Sequence, residues 1–157
     1  MNFFFVFQNK TYDREKRGGY LWAPKGTPAH WKNLCQVKKG DMVFHSFKGN
    51  LVAISIATTD CFDAKQPQEL QTENLWDNDG WKVLCKYYFV PHPIAFVDNM
   101  ERILELQPKK YAPFNRSGRG NTGYFFLLNQ KMAAFLFQQL KIRNADFVTN
   151  LGNIDLI

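Results

Sequence analysis

The segment 109–124 brings together residue types that bind nucleotides. Arg116 and Arg119 carry planar guanidinium groups, whose forked donors fit a phosphate or the edge of a base. Asn115 and Asn121 carry amides, which donate and accept hydrogen bonds and can therefore pair with a base edge. The glycines between and after them let the backbone approach a ligand closely. This composition predicts a loop that contacts a nucleic acid.

Aromatic residues anchor this loop, which is long for a segment without a helix or strand of its own. Loops of such length are usually either functional or disordered. Tyr111, Phe114 and Tyr124 disfavour disorder, and we expect Tyr111 and Phe114 to contact the backbone or a flanking base. The segment matches neither a Walker A loop nor a dinucleotide GxGxxG loop. A structural loop held by its own arginines remains the alternative.

The chain holds more aromatic side chains than a core of its size needs, with 15 Phe, 6 Tyr and 4 Trp. Some should line a pocket, where a ring offers a large contact area at low entropic cost. Trp22 is the best candidate, because it lies in an irregular segment between glycines and a proline, next to Tyr20. Trp31, on a short predicted helix, also fits the core, and Trp76 in an acidic loop fits a rim or lid.

Catalysis and metal binding have little support in the sequence. His30, His45 and His92 are too scattered for a metal site, and none has a carboxylate partner at a telling spacing. In a strand, His45 is expected to be a satisfied polar group or a hydrogen bonder in a pocket. Deaminase, His-Asn-His nuclease and G-x-S-x-G patterns are absent. The three cysteines form no CxxC pair and are expected to be reduced. We therefore expect no cofactor and no metal.

The charge is positive overall and concentrated at the two ends of the chain. Lys and Arg number 20 against 14 Asp and Glu, a formal net charge of +6. Residues 51–100 carry three basic and seven acidic side chains, so the excess comes from the flanking thirds. This distribution favours a polyanionic partner, although an ordinary solvated basic surface explains it too. No run is long enough for a membrane span or a signal peptide, so we expect a cytoplasmic protein without a membrane partner.

The elements that position these residues form one domain, 1–157, with a tail at 144–157 that packs or frays. The patterns predict strands at 3–7 and 81–90, the second ended by Pro91-His92-Pro93, and a hairpin of 42–47 with 51–57. They also predict a charged loop at 12–19 and a polar excursion at 62–79. Helices are expected from Thr27-Pro28 to about Val37, from Asp98 to Leu106, and after an Asn129 cap. The fold class is α+β, a strongly bent mixed sheet forming a small barrel flanked by short helices.

Several of these motifs resemble the EVE branch of the PUA-like superfamily. They are Trp22, Gly40-Asp41, Val43-Phe44-His45-Ser46, Val52-Ala53-Ile54-Ser55-Ile56-Ala57 and Gly80-Trp81-Lys82-Val83. The opening residues 3–10 and the loop Tyr111-Ala112-Pro113-Phe114-Asn115-Arg116 are similar to the N-terminal modules of modification-dependent, type IV-like restriction proteins. There, an EVE-like reader is coupled to an HNH nuclease or a McrB-like motor. The resemblance covers most of residues 3–137.

What the resemblance implies is a PUA-like pseudo-barrel, related to YTH and SRA readers, that holds a flipped base. In such a reader Trp22 would stack on the base, and His45 and Ser46 would line the pocket. The loop 115–121 would meet the flanking backbone, together with Lys25. The chain departs from the family's Arg-x-Asn after the first tryptophan, where it has Ala23-Pro24-Lys25, and it lacks an evident Arg-Leu-Ser-Val strand near the end. The identity of the base therefore does not carry over.

We expect a non-catalytic reader of modified bases in double-stranded DNA, acting in a restriction or phage-defence system with a nuclease or AAA+ effector. No HNH or AAA+ segment follows in the sequence, which fits either an excised module or a stand-alone reader. A YTH-like reader of modified RNA is the first alternative. A nuclease with an unrecognised site and a protein-interaction domain are the others.

Overall fold

The structure is a computed structural model that describes residues 1–25, 29–71 and 79–151, with the backbone alone for 29–32. The strands are β1 (Phe3–Phe7), β2 (Tyr20–Pro24), β3 (Met42–Phe47), β4 (Asn50–Ala57), β5 (Phe62–Lys65), β6 (Asp79–Ala95) and β7 (Phe125–Leu128). The α-helices are α1 (Tyr12–Gly18), α2 (Met100–Leu106), α3 (Gln130–Arg143) and α4 (Ala145–Asn150). Three 3₁₀-helices lie at Ala29–Gln36, Gln68–Leu70 and Phe96–Asn99.

The strands form one mixed sheet in the order β2-β6-β4-β3-β1-β7, with β5 added on β6. Among the described strands, β1 and β3 pair in parallel and all other neighbours are antiparallel. β6 is 17 residues long. Its first residues pair with β2 and β5, and its later ones pair with β4. The sheet curls strongly into a half-barrel, which confirms the predicted α+β fold with a bent mixed sheet.

Alternating side chains of the strands divide most of the core into two clusters, and a third, smaller cluster consists of Tyr20, Trp22 and Leu70. On β1, Phe3 and Phe5 face one side of the sheet, and Phe4 and Val6 face the other, as the period of two in a strand requires. The cluster beneath the helices, here called the helix-side core, includes Phe5, Phe44, Ile54, Phe96, Ile103, Met132 and Leu136. The cluster inside the half-barrel, here called the inner core, includes Phe4, Leu21, Leu34, Val43, Val83 and Phe125.

Residues 12–19 form a helix where the sequence predicted a charged loop. Helix α1 buries Tyr12 and Glu15 and ends at Gly19, which has φ 70°, a left-handed conformation that glycine adopts at little cost. A helix of seven residues is too short to show the apolar periodicity from which helices are predicted.

Strand β6 continues to Ala95, past the two prolines that were predicted to end it. The pairing of β4 shifts register here, since its partner moves from Phe89 to Ile94 between Ala53 and Leu51. Pro91 and Pro93 therefore lie at an irregularity, where the missing N–H groups break no regular ladder. Between them, the side chain of Asn144 accepts from the N–H of His92 at 2.8 Å and donates to its carbonyl at 3.1 Å.

Other predicted elements match the structure. The hairpin of β3 with β4 is confirmed, and Asn129 caps α3 by accepting from the Met132 N–H at 3.1 Å. The short helix before Val37 is a 3₁₀-helix, and its predicted start at Thr27-Pro28 lies outside the described residues. The sequence did not reveal β5, which lies in the predicted polar excursion, or β7, which follows the long loop. It also placed Trp22 in an irregular segment, whereas this residue lies in β2 and pairs with Lys82 of β6. Within the described residues, no helix is both long and apolar enough to span a bilayer.

Candidate nucleic-acid interface

A buried histidine, His45 on β3, lies in a hydrogen-bonded chain inside the half-barrel. Its Nδ1 is 2.6 Å from Oε1 of Gln8, and its Nε2 is 2.6 Å from the hydroxyl of Ser55. Because an amide oxygen can only accept, Nδ1 carries the proton, and Nε2 accepts from Ser55. Burial lowers the pKa of His45 to about 3, so its ring is neutral at physiological pH. Both ring nitrogens are thus used within the protein.

The chain of hydrogen bonds continues from Gln8 to β2. The amide nitrogen of Gln8 donates to the hydroxyl of Tyr87 at 3.2 Å, which in turn donates to the carbonyl of Tyr20 at 2.8 Å. The rings of His45 and Tyr87 pack with centroids 4.5 Å apart. These contacts fix the position of β2, and hence of the aromatic side chains on it, relative to the rest of the sheet.

Glu15 of α1 is fully buried in the same interior and forms no ion pair within the described residues. It accepts hydrogen bonds from the hydroxyls of Thr11 and Tyr124 and, at 3.1 Å, from the backbone N–H of Trp22. Burial raises the pKa of Glu15 to about 7, although these hydrogen bonds act against the rise. A carboxyl group kept partly protonated near neutrality is typical of functional sites. Here it joins α1, β2 and the residue before β7.

The opposite pKa shifts of Glu15 and His45 predict a plateau in stability at mildly acidic pH. Folded Glu15 keeps its proton up to about pH 7 but releases it near 4.5 when unfolded, so its contribution is lost as pH rises through that interval. Folded His45 stays neutral down to about pH 3 but binds a proton near 6.5 when unfolded, so its contribution is lost as pH falls. Between 4.5 and 6.5 the two proton changes cancel. Glu15→Gln should therefore make the free energy of unfolding rise with pH in this interval, by up to about 1.4 kcal/mol per pH unit.

Urea unfolding at several pH values measures this slope. Glu101→Gln, which removes an exposed carboxylate on α2, is the control and should leave the plateau unchanged. A plateau that survives in Glu15→Gln would contradict the assignment of a raised pKa to this group.

Tyr20 and Trp22 form an aromatic wall on β2 beneath residues 62–70, here called the covering segment. The indole N–H of Trp22, a residue only 7% exposed, donates to the carbonyl of Ala64 at 3.0 Å. The hydroxyl of Tyr20 donates to Glu69 at 2.7 Å. Gly80 on β6 makes room for the indole, since a Cβ there would lie 2.4 Å from its ring. The wall is therefore covered by an edge strand of four residues and one turn of 3₁₀-helix.

The loop 107–124 is held in one conformation by the side chain of Asn115. Its Oδ1 accepts from the N–H of Ser117 at 3.0 Å, the hydroxyl of Ser117 at 2.7 Å and the N–H of Arg119 at 3.0 Å. Asn121 donates to the carbonyl of Ala112 at 2.7 Å, which closes the base of the loop. Both amides thus shape the loop, and the Oδ1 of Asn121 has no donor among the described residues.

Phe114 anchors this loop in the helix-side core. Its ring is 5% exposed and lies 5.4 to 5.7 Å from the rings of Phe5, Phe7 and Phe96. The side chain of Gln107 pairs with both the N–H and the carbonyl of Phe114. Any effect of Phe114 on a ligand would therefore be exerted through the position of the loop.

Removing the Asn115 carbonyl should loosen the loop. We expect Asn115→Ala to speed amide hydrogen exchange at Ser117 and Arg119, because both N–H groups lose their acceptor. Asn115→Asp, which keeps the accepting oxygen, should retain slow exchange at these two positions. Unchanged exchange in Asn115→Ala would show that other contacts order the loop.

All the charged side chains of this loop are positive, and they face solvent. Segment 107–124 contains no Asp or Glu, and its four basic side chains are exposed. The four are Lys109, Lys110, Arg116 and Arg119. Within the part of the chain that the structure describes, none of the four forms an ion pair. Two clefts flank the loop and share Asn121 and Thr122. The larger, of about 1010 Å³, lies beside β7, and the smaller, of about 660 Å³, lies against the β3–β4 turn.

The remaining predicted site residues are spread over the molecule. Ser46 is buried and borders the smaller cleft, whereas Lys25 forms an ion pair of 2.9 Å with Asp63 near the covering segment. Tyr111 is 84% exposed at the larger cleft. Trp76 and the side chain of Trp31 lie outside the described residues. The structure thus groups Tyr20 with Trp22, and Tyr111 with Arg116, Arg119 and Asn121 on the loop, as two separate regions.

Of the buried polar interior, the sequence predicted only His45 as a hydrogen-bonded polar group, and the partners around it were missed. Glu15 stands in a charged run that suggests solvent exposure, and Gln8 and Tyr124 border apolar strands without any motif. A signal existed only for Gln8, a polar residue directly after the apolar run of β1. Within the described residues, no three His, Cys, Asp or Glu side chains come together as a metal site would require.

Comparison with known proteins identifies the fold. No protein-family profile and no curated protein matches the sequence, but solved structures do. Human THYN1, solved in complex with 5-methylcytosine containing DNA, has a TM-score of 0.56 and 9% identity, covering 90% of this chain and 98% of that one. The Pho92 YTH domain, solved in complex with m6A, has a TM-score of 0.53 and 15% identity, covering 89% and 86%. A Leishmania major protein reaches 0.59 at 11% identity, covering 91% and 96%. The half-barrel of this protein is therefore a PUA-like α+β fold.

Proposed function

We propose that the protein is a non-catalytic reader of modified nucleic acid, and specifically that it takes up one flipped, modified base from double-stranded DNA. Extruding a base costs a few kcal/mol. Stacking on an aromatic ring and hydrogen bonds to the base edge offset that cost.

The observation that carries the proposal is the ordered, wholly basic loop 107–124. Asn115 orders the backbone turn that carries the exposed Arg116 and Arg119, and neither guanidinium has an acidic partner within the described residues. Exposed positive charges that have no acidic partner attract anions. A nucleic-acid backbone supplies such anions at regular spacing.

We place the modified base at the aromatic wall of Tyr20 and Trp22. Glu15 holds the backbone of Trp22 from inside, whereas the covering segment, among the described residues, lies over the ring. Displacing that segment breaks the hydrogen bond to Ala64 and exposes the indole for stacking. The cover consists of β5, which pairs with β6 through four residues, and of one 3₁₀ turn, and a base can stack on the wall only after this cover has moved.

We also propose that the protein itself has no catalytic activity. Both nitrogens of His45 are engaged within the interior, and the carboxyl of Glu15 is fully buried. Neither can reach a bound phosphodiester. Metal-dependent nicking by the pure protein, abolished by one carboxylate substitution, would overturn this part.

The fold neighbours support a modified base as ligand, and they also give the second candidate. THYN1 was solved with 5-methylcytosine containing DNA, and the Pho92 YTH domain with m6A. We favour DNA because of the resemblance to restriction-protein modules. In that role the reader would deliver a nuclease or AAA+ effector to modified DNA in the cytoplasm, and cleavage would require the effector.

Fluorescence of 2-aminopurine tests base extrusion directly. Placed next to 5-methylcytosine in a duplex, this probe should brighten on protein binding, because the neighbouring base leaves the stack. The same duplex with unmodified cytosine should brighten less. Equal brightening in both duplexes would contradict selective extrusion, and stronger competition by a matched modified RNA would favour the second candidate.

A further inference from the structure

The larger cleft, beside β7, has an apolar floor and an aromatic rim. Phe126 and Leu128 of β7 line it together with Pro108 and Ala112, and Leu127 is 44% exposed there. Its volume of about 1010 Å³ is at the upper end of ordinary ligand sites, which span about 300–1,000 Å³. The space therefore suits a planar group of the size of a nucleotide.

Tyr111, at the rim of this cleft, has an exposed side chain and an unusual backbone conformation. Its side chain is 84% exposed, and its φ of 55° is a left-handed conformation that bulky residues rarely adopt. Strained backbone conformations of this kind cluster at functional sites. A tyrosine held in this way offers a free ring face to a ligand.

The polar groups of the cleft select for a nucleic acid. None of the described residues that line it is acidic, and Lys110 on its rim forms no ion pair among them. The amides of Asn33 and Asn129 are already donating to backbone carbonyls. No described residue donates to the Oδ1 of Asn121, which can accept from the amino group of a base.

We propose that this cleft binds a second, unmodified base, which stacks on Tyr111 while Lys110 contacts its phosphate. This inference rests on the proposed function and adds a sequence-tolerant site to it. Since a paired base cannot stack on Tyr111, the site is used only where the flanking nucleotide is unstacked, as in a gap or a single strand. The protein should therefore bind modified DNA with a single-stranded flank more tightly than the closed duplex.

Two substitutions at position 111 separate the ring from the backbone conformation. Tyr111→Asn removes the ring but tolerates left-handed φ, whereas Tyr111→Phe keeps the ring. With a single-stranded flank carrying 2-aminopurine, the wild type and Tyr111→Phe should quench the probe on binding. Tyr111→Asn should lose the quenching and about tenfold in affinity. Phe89→Ala, which removes an exposed ring from β6, is the control and should behave as wild type.

The ratio of affinities for modified and unmodified DNA distinguishes failure of this inference from failure of the proposed function. If the ratio stays high in every variant while Tyr111→Asn quenches as strongly as the wild type, the second base site is wrong and the reader stands. If the wild type shows no preference for modified DNA, the proposed function is wrong, irrespective of the result for the Tyr111 variants. Loss of quenching in Phe89→Ala as well would also overturn the assignment to this cleft.

Discussion

Replacing Arg116 and Arg119 together by alanine is expected to weaken binding to modified and unmodified DNA alike, by about 30-fold near 0.15 M salt. Each arginine that contacts a phosphate releases about one counterion. The plot of log K against log salt should therefore become less steep, with a slope smaller in magnitude by about two. The affinity ratio between modified and unmodified duplexes should stay the same, because phosphates carry no information on the base. Fluorescence anisotropy over a salt series measures both quantities.

A charge-matched control decides whether the loop or the net charge is responsible. Lys131→Ala with Lys141→Ala removes the same charge from exposed positions of α3. This variant should lose little affinity. An equal loss of affinity in the two double variants would mean that DNA binding depends only on the net charge of the protein. The loop would then not be a specific contact site.

Trp22→Leu is expected to abolish the preference for modified DNA while leaving the weak, salt-dependent binding of the loop. Stacking of a base on an aromatic ring contributes about 1–3 kcal/mol, so a preference of tenfold to hundredfold should disappear. Trp22→Phe, which keeps a ring, should retain most of it. The two variants are compared by anisotropy with matched modified and unmodified duplexes.

Burial of Trp22 requires a control for stability. Removing a buried ring costs about 3–5 kcal/mol at most, so each variant is first unfolded with urea to show that it is folded under binding conditions. Phe125→Leu in the inner core should destabilise the fold similarly and keep the preference. Should Phe125→Leu lose it too, or Trp22→Leu weaken both duplexes equally, the wall is not the base site.

The sequence revealed those parts of the fold that have a strong local signal. The hairpin of β3 and β4 has turn residues at Lys48 and Gly49 between two apolar strands, and both have positive φ. The Asn129 cap and the amphipathic α3 also follow from local chemistry. By contrast, β5 and β7 have four residues each, and they become strands because β6 and β1 offer them pairing edges. Their existence depends on the tertiary fold and leaves little trace in the sequence.

The candidate site was predictable to a similar degree. Arg116 and Arg119 were singled out by composition, and the structure leaves both exposed. The role of Asn115 was not predictable, because its hydrogen bonds to Ser117 and Arg119 depend on how the loop folds back. Glu15 was missed for the opposite reason, since a helix that buries one carboxylate has the same composition as an exposed charged loop.

The most direct test of the reader is the affinity ratio for otherwise identical duplexes at one fixed salt concentration. They carry unmodified cytosine, 5-methylcytosine, 5-hydroxymethylcytosine or N6-methyladenine, with the matching RNAs as competitors. We predict a preference of at least tenfold, about 1.4 kcal/mol, for one modified DNA. Equal, weak binding to all of them would contradict the reader and leave only a basic surface.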